Sequence, residues 1–170
     1  MSKLSVFNDV LGPIMVGPSS SHTAGTTRIG LMSQALLGEP VRQAHLTFDP
    51  DGSRAFPFRG RGRAGASPGG LLGRAPANPD LGKALELASK TGVTVRFEVA
   101  ALEGAEHPND TRLHLTGVTG RTVEVRGAST GGGMMRITRV KGYPADLAGD
   151  DHELLVEGEG ITWATVAPLL

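Results

Sequence analysis

Two alternating runs joined by a short turn decide the fold of this chain: TRLHLTGVTGRTVEVRGA, residues 111–128. In each run, apolar side chains alternate with polar ones, a period that places the apolar set on one face of a β-ribbon. The dipeptide Thr119-Gly120 between the runs favours a tight connection. The stretch therefore predicts an antiparallel hairpin of residues 111–118 and 121–128. The side chains expected to face each other across it are Leu113 and Leu115 on one strand and Val123 and Val125 on the other.

Further strand patterns lie on both sides of this hairpin. Residues 93–100 alternate clearly, with Val95 and Phe97 on the apolar side. Residues 41–48 and 134–140 are also rich in β-branched and apolar residues, which favour strands. Together with the hairpin, these segments predict a sheet of four or more strands.

Two segments have the periodicity of helices instead. Residues 20–37 carry an apolar stripe at helical spacing and end before Gly38. Residues 79–90 form the second helical pattern and end at Thr91-Gly92. The side chains of this second helix expected to face the core are Leu81, Leu85 and Ala88. Helices set among strands with short connections predict an α+β fold, a mixed or antiparallel sheet with helices packed on one face.

The composition narrows the classes of function. Seventeen basic and seventeen acidic residues cancel, so the chain has no net field that would attract nucleic acid or an anionic membrane. The chain has no cysteine, which excludes disulfides, a thiol nucleophile and a cysteine-ligated metal cluster of its own. No apolar run is long enough to span a membrane, and the N-terminus lacks the layout of a signal peptide. These features predict a cytoplasmic protein with no nucleic-acid partner and no membrane partner.

One segment has the composition of a loop. Residues 58–70, FRGRGRAGASPGG, contain almost no apolar side chains. We interpret the segment as a flexible, solvated connection. An arginine-rich arm that binds anions is the less favoured alternative.

The most informative motif for function is GPIMVGPSSSHTAG, residues 12–25. A serine can cap the helical segment that follows, and a helix N-terminus presents N–H groups and the positive end of a dipole to an anion. A cap alone needs one hydroxyl, whereas this motif supplies several side chains in a row. The pattern therefore favours a loop that binds a carboxylate or phosphate over a plain helix cap. The polar side chains concerned are Ser19, Ser20, Ser21, His22 and Thr23.

Two further motifs combine polar residues with backbone constraints. His107-Pro108-Asn109 lies between two predicted strands, where, taken alone, an ordinary turn is the favoured interpretation. Ser129-Thr130-Gly131-Gly132-Gly133 lies before another predicted strand. Its glycines allow either a close approach of the backbone to a ligand or partner, or a plain turn. It lacks the lysine of a phosphate-binding loop, so nucleotide binding is weakly supported.

Together these motifs make the chain similar to the β chain of iron–sulfur-dependent L-serine dehydratases. The similarity rests on Ser5-Val6-Phe7, on residues 12–25 with Arg28-Ile29-Gly30, and on the two later motifs in the family's order. For residues 1–148 it implies a domain like the allosteric-substrate-binding domains that bind small acids. The tail, residues 149–170, resembles the first part of an ACT regulatory domain, cut short.

The resemblance implies a role in L-serine deamination, the conversion of L-serine to pyruvate and ammonia in serine catabolism and gluconeogenesis. In that family a [4Fe–4S] cluster is held by cysteines of the α chain, which agrees with the absence of cysteine here. An open iron acts as a Lewis acid on the serine hydroxyl, a base removes the Cα proton, water leaves, and the aminoacrylate hydrolyses. The expected protein is a β subunit that is active only with the α subunit, in a hetero- and homo-oligomer, and that holds no metal itself.

The resemblance also implies roles for single residues. The hydroxyls of Ser19, Ser20, Ser21 and Thr23 would hold the substrate carboxylate at the helix N-terminus. His22 is the candidate catalytic residue, for orientation or proton transfer. The residues expected to support the seam between the subunits are His107, Asn109, Ser129, Gly131, Gly132 and Gly133.

One departure from the family bears on activity. Family members carry Gly-His-Gly-Thr-Asp where this chain reads Gly60-Arg61-Gly62-Arg63-Ala64, and that histidine is the family's expected acid–base group. A guanidinium cannot act as a base at neutral pH. Two explanations are open: a catalytically degenerate regulatory module that binds a small acid, or a local change of reading frame between about residues 49 and 68.

Overall fold

The structure, a computed structural model, describes residues 12–53 and 66–169. Within these residues six strands form one sheet in the order β2-β1-β3-β4-β5-β6. Strands β1 and β2 pair in parallel, and the other neighbours pair antiparallel. The sheet is therefore mixed. The strands are β1 Val41–Phe48, β2 Thr94–Val99, β3 Asp110–Gly117, β4 Thr122–Gly131, β5 Met134–Val140 and β6 Tyr143–Leu147.

Three of the helices lie against one face of this sheet. The longest, α1, packs on β3, β4 and β5, while α2 packs on α1 and α3 packs on β2. Apolar side chains of α1 and α2 meet those of the strands in a single buried cluster. The predicted α+β fold, with helices on one face, is confirmed. The helices are α1 Ala24–Leu37, α2 Ala66–Leu71, α3 Ala84–Lys90, which a 3-10 turn at Pro79–Lys83 precedes, and α4 Trp163–Val166.

The predicted hairpin forms strands β3 and β4 with the expected register. Leu113 lies opposite Val125, and Leu115 lies opposite Val123. All four side chains are buried under the helices. His114, between the two leucines, is exposed on the other face of the sheet. Alternation alone therefore assigned the two faces correctly.

The segment predicted as a flexible connection was wrong in its second half. Residues 66–71 form α2, which is buried against α1. The two glycines at the contact are Gly30 and Gly70, and a Cβ on Gly70 would overlap the Thr27 carbonyl oxygen and lie 2.8 Å from the Leu31 nitrogen. Small residues, which make a segment resemble a loop in composition, here allow two helices to approach closely. The first half, including Arg61 and Arg63, lies outside the described residues.

Three smaller expectations also need correction. Helix α1 begins at Ala24 rather than at residue 20. Leu81 and Ala88 are buried as predicted, but Leu85 is 37% exposed and Ala84 is buried in its place. Strand β6 was not predicted, since a tyrosine, a proline and an aspartate break its apolar pattern.

Residues 151–168 of the C-terminal tail are exposed, except for the half-buried Val166. After β6 the described chain contains no further strand. Leu154 is 67% exposed, and Trp163 in α4 is 74% exposed. In the described part of the chain, no helix is both long and apolar enough to cross a membrane.

Candidate functional site

The serine-rich motif forms a separate turn ahead of α1. The Ser19 carbonyl accepts the N–H of Thr23 at 2.9 Å, and the Ser20 carbonyl accepts the N–H of Gly25 at 3.0 Å. The Ser19 hydroxyl also accepts the N–H of His22 at 3.3 Å. Ser19 therefore caps this preliminary turn, in the way an N-cap residue caps a helix.

Because of this turn, α1 starts later in the sequence than predicted. The turn also changes which groups can donate hydrogen bonds to an anion. The N-cap of α1 is Thr23, which makes no capping bond with its side chain, so a serine cap on α1 was the wrong prediction. The N–H groups of Thr23 and Gly25 are already used inside the turn. Side-chain hydroxyls are then the principal groups that the motif can offer to an anion at the positive end of the helix dipole.

His22 is held by two of the serines. Its Nδ1 lies 3.0 Å from the Ser19 hydroxyl and 3.1 Å from the Ser21 hydroxyl. The two hydroxyls are themselves 3.5 Å apart. Where a serine donates to Nδ1, the neutral imidazole carries its proton on Nε2, and where Nδ1 donates, Nε2 is the basic nitrogen. Within the described residues Nε2 has no hydrogen-bond partner, so this nitrogen is the one left to act on a substrate.

The triple glycine forms the turn from β4 to β5 and packs beside the serine-rich motif. Gly131, Gly132 and Gly133 have φ values of 102°, 61° and 88°, a region that disfavours other residues. A Cβ on Gly133 would lie 2.6 Å from Pro13 and 3.2 Å from the Ala24 Cβ. The glycines therefore serve both the turn and the close approach to the first residue of α1.

Ser129 lies directly beneath α1. Its side chain is fully buried, and its hydroxyl donates to the Met134 carbonyl at 3.4 Å. A Cβ on Gly25 would overlap that hydroxyl and lie 2.8 Å from the Met134 carbonyl oxygen. Ser129 thus seats the first turn of α1 on the sheet and is shielded from solvent.

The His107-Pro108-Asn109 motif attaches to the same place from the other side. The Asn109 amide donates to the Ser129 carbonyl at 3.1 Å, and its carbonyl oxygen accepts from the Ser53 hydroxyl. His107 Nδ1 accepts the N–H of Asn109 at 3.0 Å, so the neutral ring carries its proton on Nε2. The structure therefore links Asn109 through Ser129 to Gly25, and it brings the three sequence motifs together at one end of the sheet.

An acidic residue that the sequence reasoning missed fixes the loop beside His107. Asp49 accepts the N–H of Leu102 at 2.9 Å and the N–H of Asp51 at 3.0 Å. These hydrogen bonds, the one from Leu102 foremost, lower the pKa of the Asp49 carboxyl. Asp49 also lines an open cleft of about 440 Å³. Leu102, residues 104–106 and His107 line the same cleft. The Asp-Pro-Asp-Gly sequence at residues 49–52 was the available signal, because it is typical of a turn.

Asp110, which follows the His107-Pro108-Asn109 motif directly, takes part in an ion pair. The Asp110 carboxylate accepts from Arg126 Nε at 3.1 Å and from Nη2 at 3.0 Å. Its side chain is 4% exposed and that of Arg126 is 13% exposed. Asp110 is thus a buried ion-pair partner between β3 and β4.

The described residues do not suit an iron–sulfur cluster or another metal. The chain has no cysteine, and in residues 12–53 and 66–169 no three His, Asp or Glu side chains lie close enough to share an ion.

Comparison with known proteins indicates the same family as the sequence motifs. No family model matches the chain. It is 35% identical over 157 residues to the L-serine dehydratase, beta chain, of Peptoniphilus asaccharolyticus, which covers 92% of this chain and 69% of the relative. It is also 35% identical over 156 residues to the probable L-serine dehydratase, beta chain, of Bacillus subtilis (strain 168), with the same two shares. Similarity of this level across nearly the whole chain shows that it belongs to the family of L-serine dehydratase beta chains.

Proposed function

We propose that this chain is the β subunit of an iron–sulfur L-serine dehydratase and completes the site where L-serine is bound and deprotonated. The observation that carries the proposal is the turn at residues 19–23. There, two hydroxyls hold one nitrogen of His22 in front of a 14-residue helix. The names of the two relatives support the choice of substrate.

The serine-rich turn is suited to the carboxylate of an amino acid. The side chains of Ser19, Ser20, Ser21 and Thr23 are half-buried rather than fully exposed, so an anion bound there loses part of its water. Hydroxyl donors replace that water, and the N-terminal end of α1 adds a favourable field. Behind the turn, Gly133 packs against Ala24 at the start of α1, and Asn109 donates to the carbonyl of Ser129 beneath this helix.

His22 is suited to orient the substrate or to move its proton. A general base must lie within hydrogen-bond reach of the proton it takes and must be held in place. Ser19 and Ser21 provide that hold at Nδ1, which leaves Nε2 for the substrate. In this scheme the hydroxyls of Ser19 and Ser21 contact both the His22 imidazole and the substrate carboxylate.

The cluster is assigned to the cysteine-bearing α subunit. This chain has no cysteine, and the described residues form no group of metal ligands. The resulting enzyme is a hetero-oligomer in which each subunit supplies part of the site, and this chain contributes the groups that bind, orient and deprotonate.

The test is pyruvate formation from L-serine by the purified α–β pair with an intact cluster. We expect His22→Ala to lower kcat/KM by about 10²–10⁴, the range that general acid–base groups contribute. His152→Ala, in the exposed tail, is the matched control and should leave the rate unchanged. A pair that forms no pyruvate, both as it is and after Arg61→His, would overturn the proposal.

Arg61 supports one alternative, a catalytically degenerate module that binds a small acid. A guanidinium replaces the family's histidine in that position. Calorimetry separates the two functions. Saturable L-serine binding by this chain alone supports the module, whereas binding only in the α complex supports the shared active site.

A further inference from the structure

Arg28 connects three parts of the molecule through one guanidinium. It lies one turn into α1, and its Nη1 donates to the Gly133 carbonyl at 3.3 Å. Its Nη2 donates to the carbonyls of Ala148 and Gly149 at 3.3 and 3.2 Å. The same nitrogen forms an ion pair of 2.8 Å with Asp150. These contacts join the serine-bearing helix, the glycine turn and the point where the tail leaves β6.

Two of the carbonyl partners of Arg28 belong to glycines with a positive φ. Gly133 has a φ of 88° and Gly149 a φ of 72°, so both lie in conformations that other residues rarely adopt. A Cβ on Gly149 would lie 2.6 Å from Met135 and 3.6 Å from the Arg28 guanidinium. Gly149, at the start of the tail, therefore packs against both β5 and Arg28.

We propose that Arg28 is a positioning residue that couples the path of the tail at residues 148–150 to the geometry of the serine-rich turn. While the tail is seated, the guanidinium is fixed by three acceptors on it and holds Gly133 against the start of α1. When the tail moves away, only the contacts to residues 133 and 134 remain. A partner or ligand that binds the exposed tail would then alter substrate binding without touching the site.

The coupling follows from the geometry of the guanidinium. Arginine offers five donors in a rigid plane, so one side chain can bind acceptors on several segments at once. Its hydrogen bonds to carbonyls and to a carboxylate are charge-assisted and stronger than neutral ones. Moving the tail acceptors therefore changes the position of a group that also binds the glycine turn. This inference rests on the proposed function in that the site it adjusts is the L-serine site.

The first test weakens only the tail side of the link, because it removes the ion pair with Asp150 and leaves the carbonyls of Ala148 and Gly149 in place. In the α–β pair, Asp150→Asn should raise KM for L-serine about two- to fivefold while kcat changes less than twofold, since a single partly exposed ion pair is weak. Asp146→Asn removes an exposed partner of Arg136 on the neighbouring strand and is the matched control. We expect no change in KM for that variant. Equal KM values for Asp150→Asn and wild type would overturn the coupling.

The second test addresses Arg28 itself and separates positioning from folding. Arg28→Ala should raise KM more than tenfold, and Arg28→Lys, which retains the charge, should restore part of the loss. If KM follows thermal stability in all variants, Arg28 is only structural and the proposal fails.

A third measurement does not depend on catalysis. Amide hydrogen exchange on the purified chain should be about two- to fivefold faster in residues 19–25 and 129–134 for Asp150→Asn than for Asp146→Asn. Should the wild-type pair form no pyruvate, the proposed function has failed, and the exchange rates still decide the coupling. Identical exchange in the two variants would overturn it.

Discussion

Residue 25 is a glycine, and it lies where two segments that are far apart in the sequence meet. A side chain at this position would overlap Ser129. The helix start contacts Ser129 at the end of β4, and the Gly133 turn contacts Ala24 and Pro13 beside it. These contacts set the distance between the serine-rich turn and the sheet. At the scale of single residues, the geometry of the candidate site therefore depends on close backbone approach as much as on its polar side chains.

Replacement of Gly25 by alanine should destabilise the protein. The added Cβ overlaps the Ser129 hydroxyl, and overpacking of a buried contact costs about 1–3 kcal/mol. Gly82→Ala is the matched control, because its Cβ would meet nothing within 4 Å and alanine lowers the entropy of the unfolded chain. Chemical denaturation of both variants measures the difference. A Gly25→Ala variant as stable as Gly82→Ala would show that α1 can shift at no cost.

The Asp49 carboxyl should titrate below the ordinary value for aspartate, 3.8. Hydrogen bonds from Leu102 and Asp51 favour the charged form and lower the pKa in the folded state. A depressed folded pKa means that the stabilisation is fully present above the unfolded value and is lost as pH falls through the folded value. The amide proton of Leu102, followed by NMR, should shift with a midpoint below 3.8. A midpoint at or above that value, or an equal shift in Asp49→Asn, would contradict the assignment.

At the scale of elements, β3 and β4 carry the site residues at one end and a buried ion pair on the polar face. Their apolar side chains fix the register, since a slip by one residue would expose Leu113 and Leu115. Asp110 and Arg126 then join the two strands where the His107 loop begins, and Arg126 Nη1 also donates to the Glu103 carbonyl at 2.6 Å. The loop is therefore held by the same arginine that pairs the strands.

Removal of Asp110 should destabilise the hairpin end and loosen that loop. Asp110→Ala leaves a largely buried guanidinium without its carboxylate, which costs about 3 kcal/mol. Asp146→Ala, which removes a well-exposed partner of Arg136, is the control and should leave the unfolding midpoint unchanged. Urea denaturation measures both variants. The double variant Asp110→Ala/Arg126→Met should recover part of this lost stability. If the double variant instead loses the sum of what the two single variants lose, the two side chains have no direct interaction energy.

At the scale of the whole molecule, the sheet has one buried face and one polar face. Helices α1, α2 and α3 cover the first face, and residues such as His45, His114 and Glu124 lie exposed on the second. The tail adds little to this core, because residues 151–168 are exposed or half-buried throughout. Stability and site geometry therefore come from the sheet and α1, and the tail can act on them only through contacts such as those with Arg28.

Deletion of residues 152–170 should leave the free energy of unfolding unchanged within about 0.5 kcal/mol, as is usual for exposed segments. The deletion removes the ion pair between Lys141 and Glu157, whose side chains are 33% and 43% exposed, so its contribution to stability is small. Calorimetric unfolding of the shortened and full chains measures the difference. A drop of several kcal/mol would show that the tail is part of the core.

The sequence determined the elements whose signals are local. Alternation in residues 111–128 set the hairpin and its faces, and helical periodicity found α1 and α3. Residues 19–23 were predicted to bind a ligand because their polar side chains are adjacent in the chain, and they lie together in one turn ahead of α1. Membership of the dehydratase beta-chain family was also readable from the motifs, and the relatives confirm it.

The tertiary structure alone decided which of these local signals meet. Helix α2 resembled a loop in composition, because the glycines that allow its contact with α1 are also the residues typical of loops. The start of α1 was displaced by hydrogen bonds between Ser19, Ser20 and residues after them. Arg28 carries no local signal of its role, since its acceptors lie more than a hundred residues away. Contacts over such separations depend on packing and on backbone geometry, which neighbouring residues in the sequence do not encode.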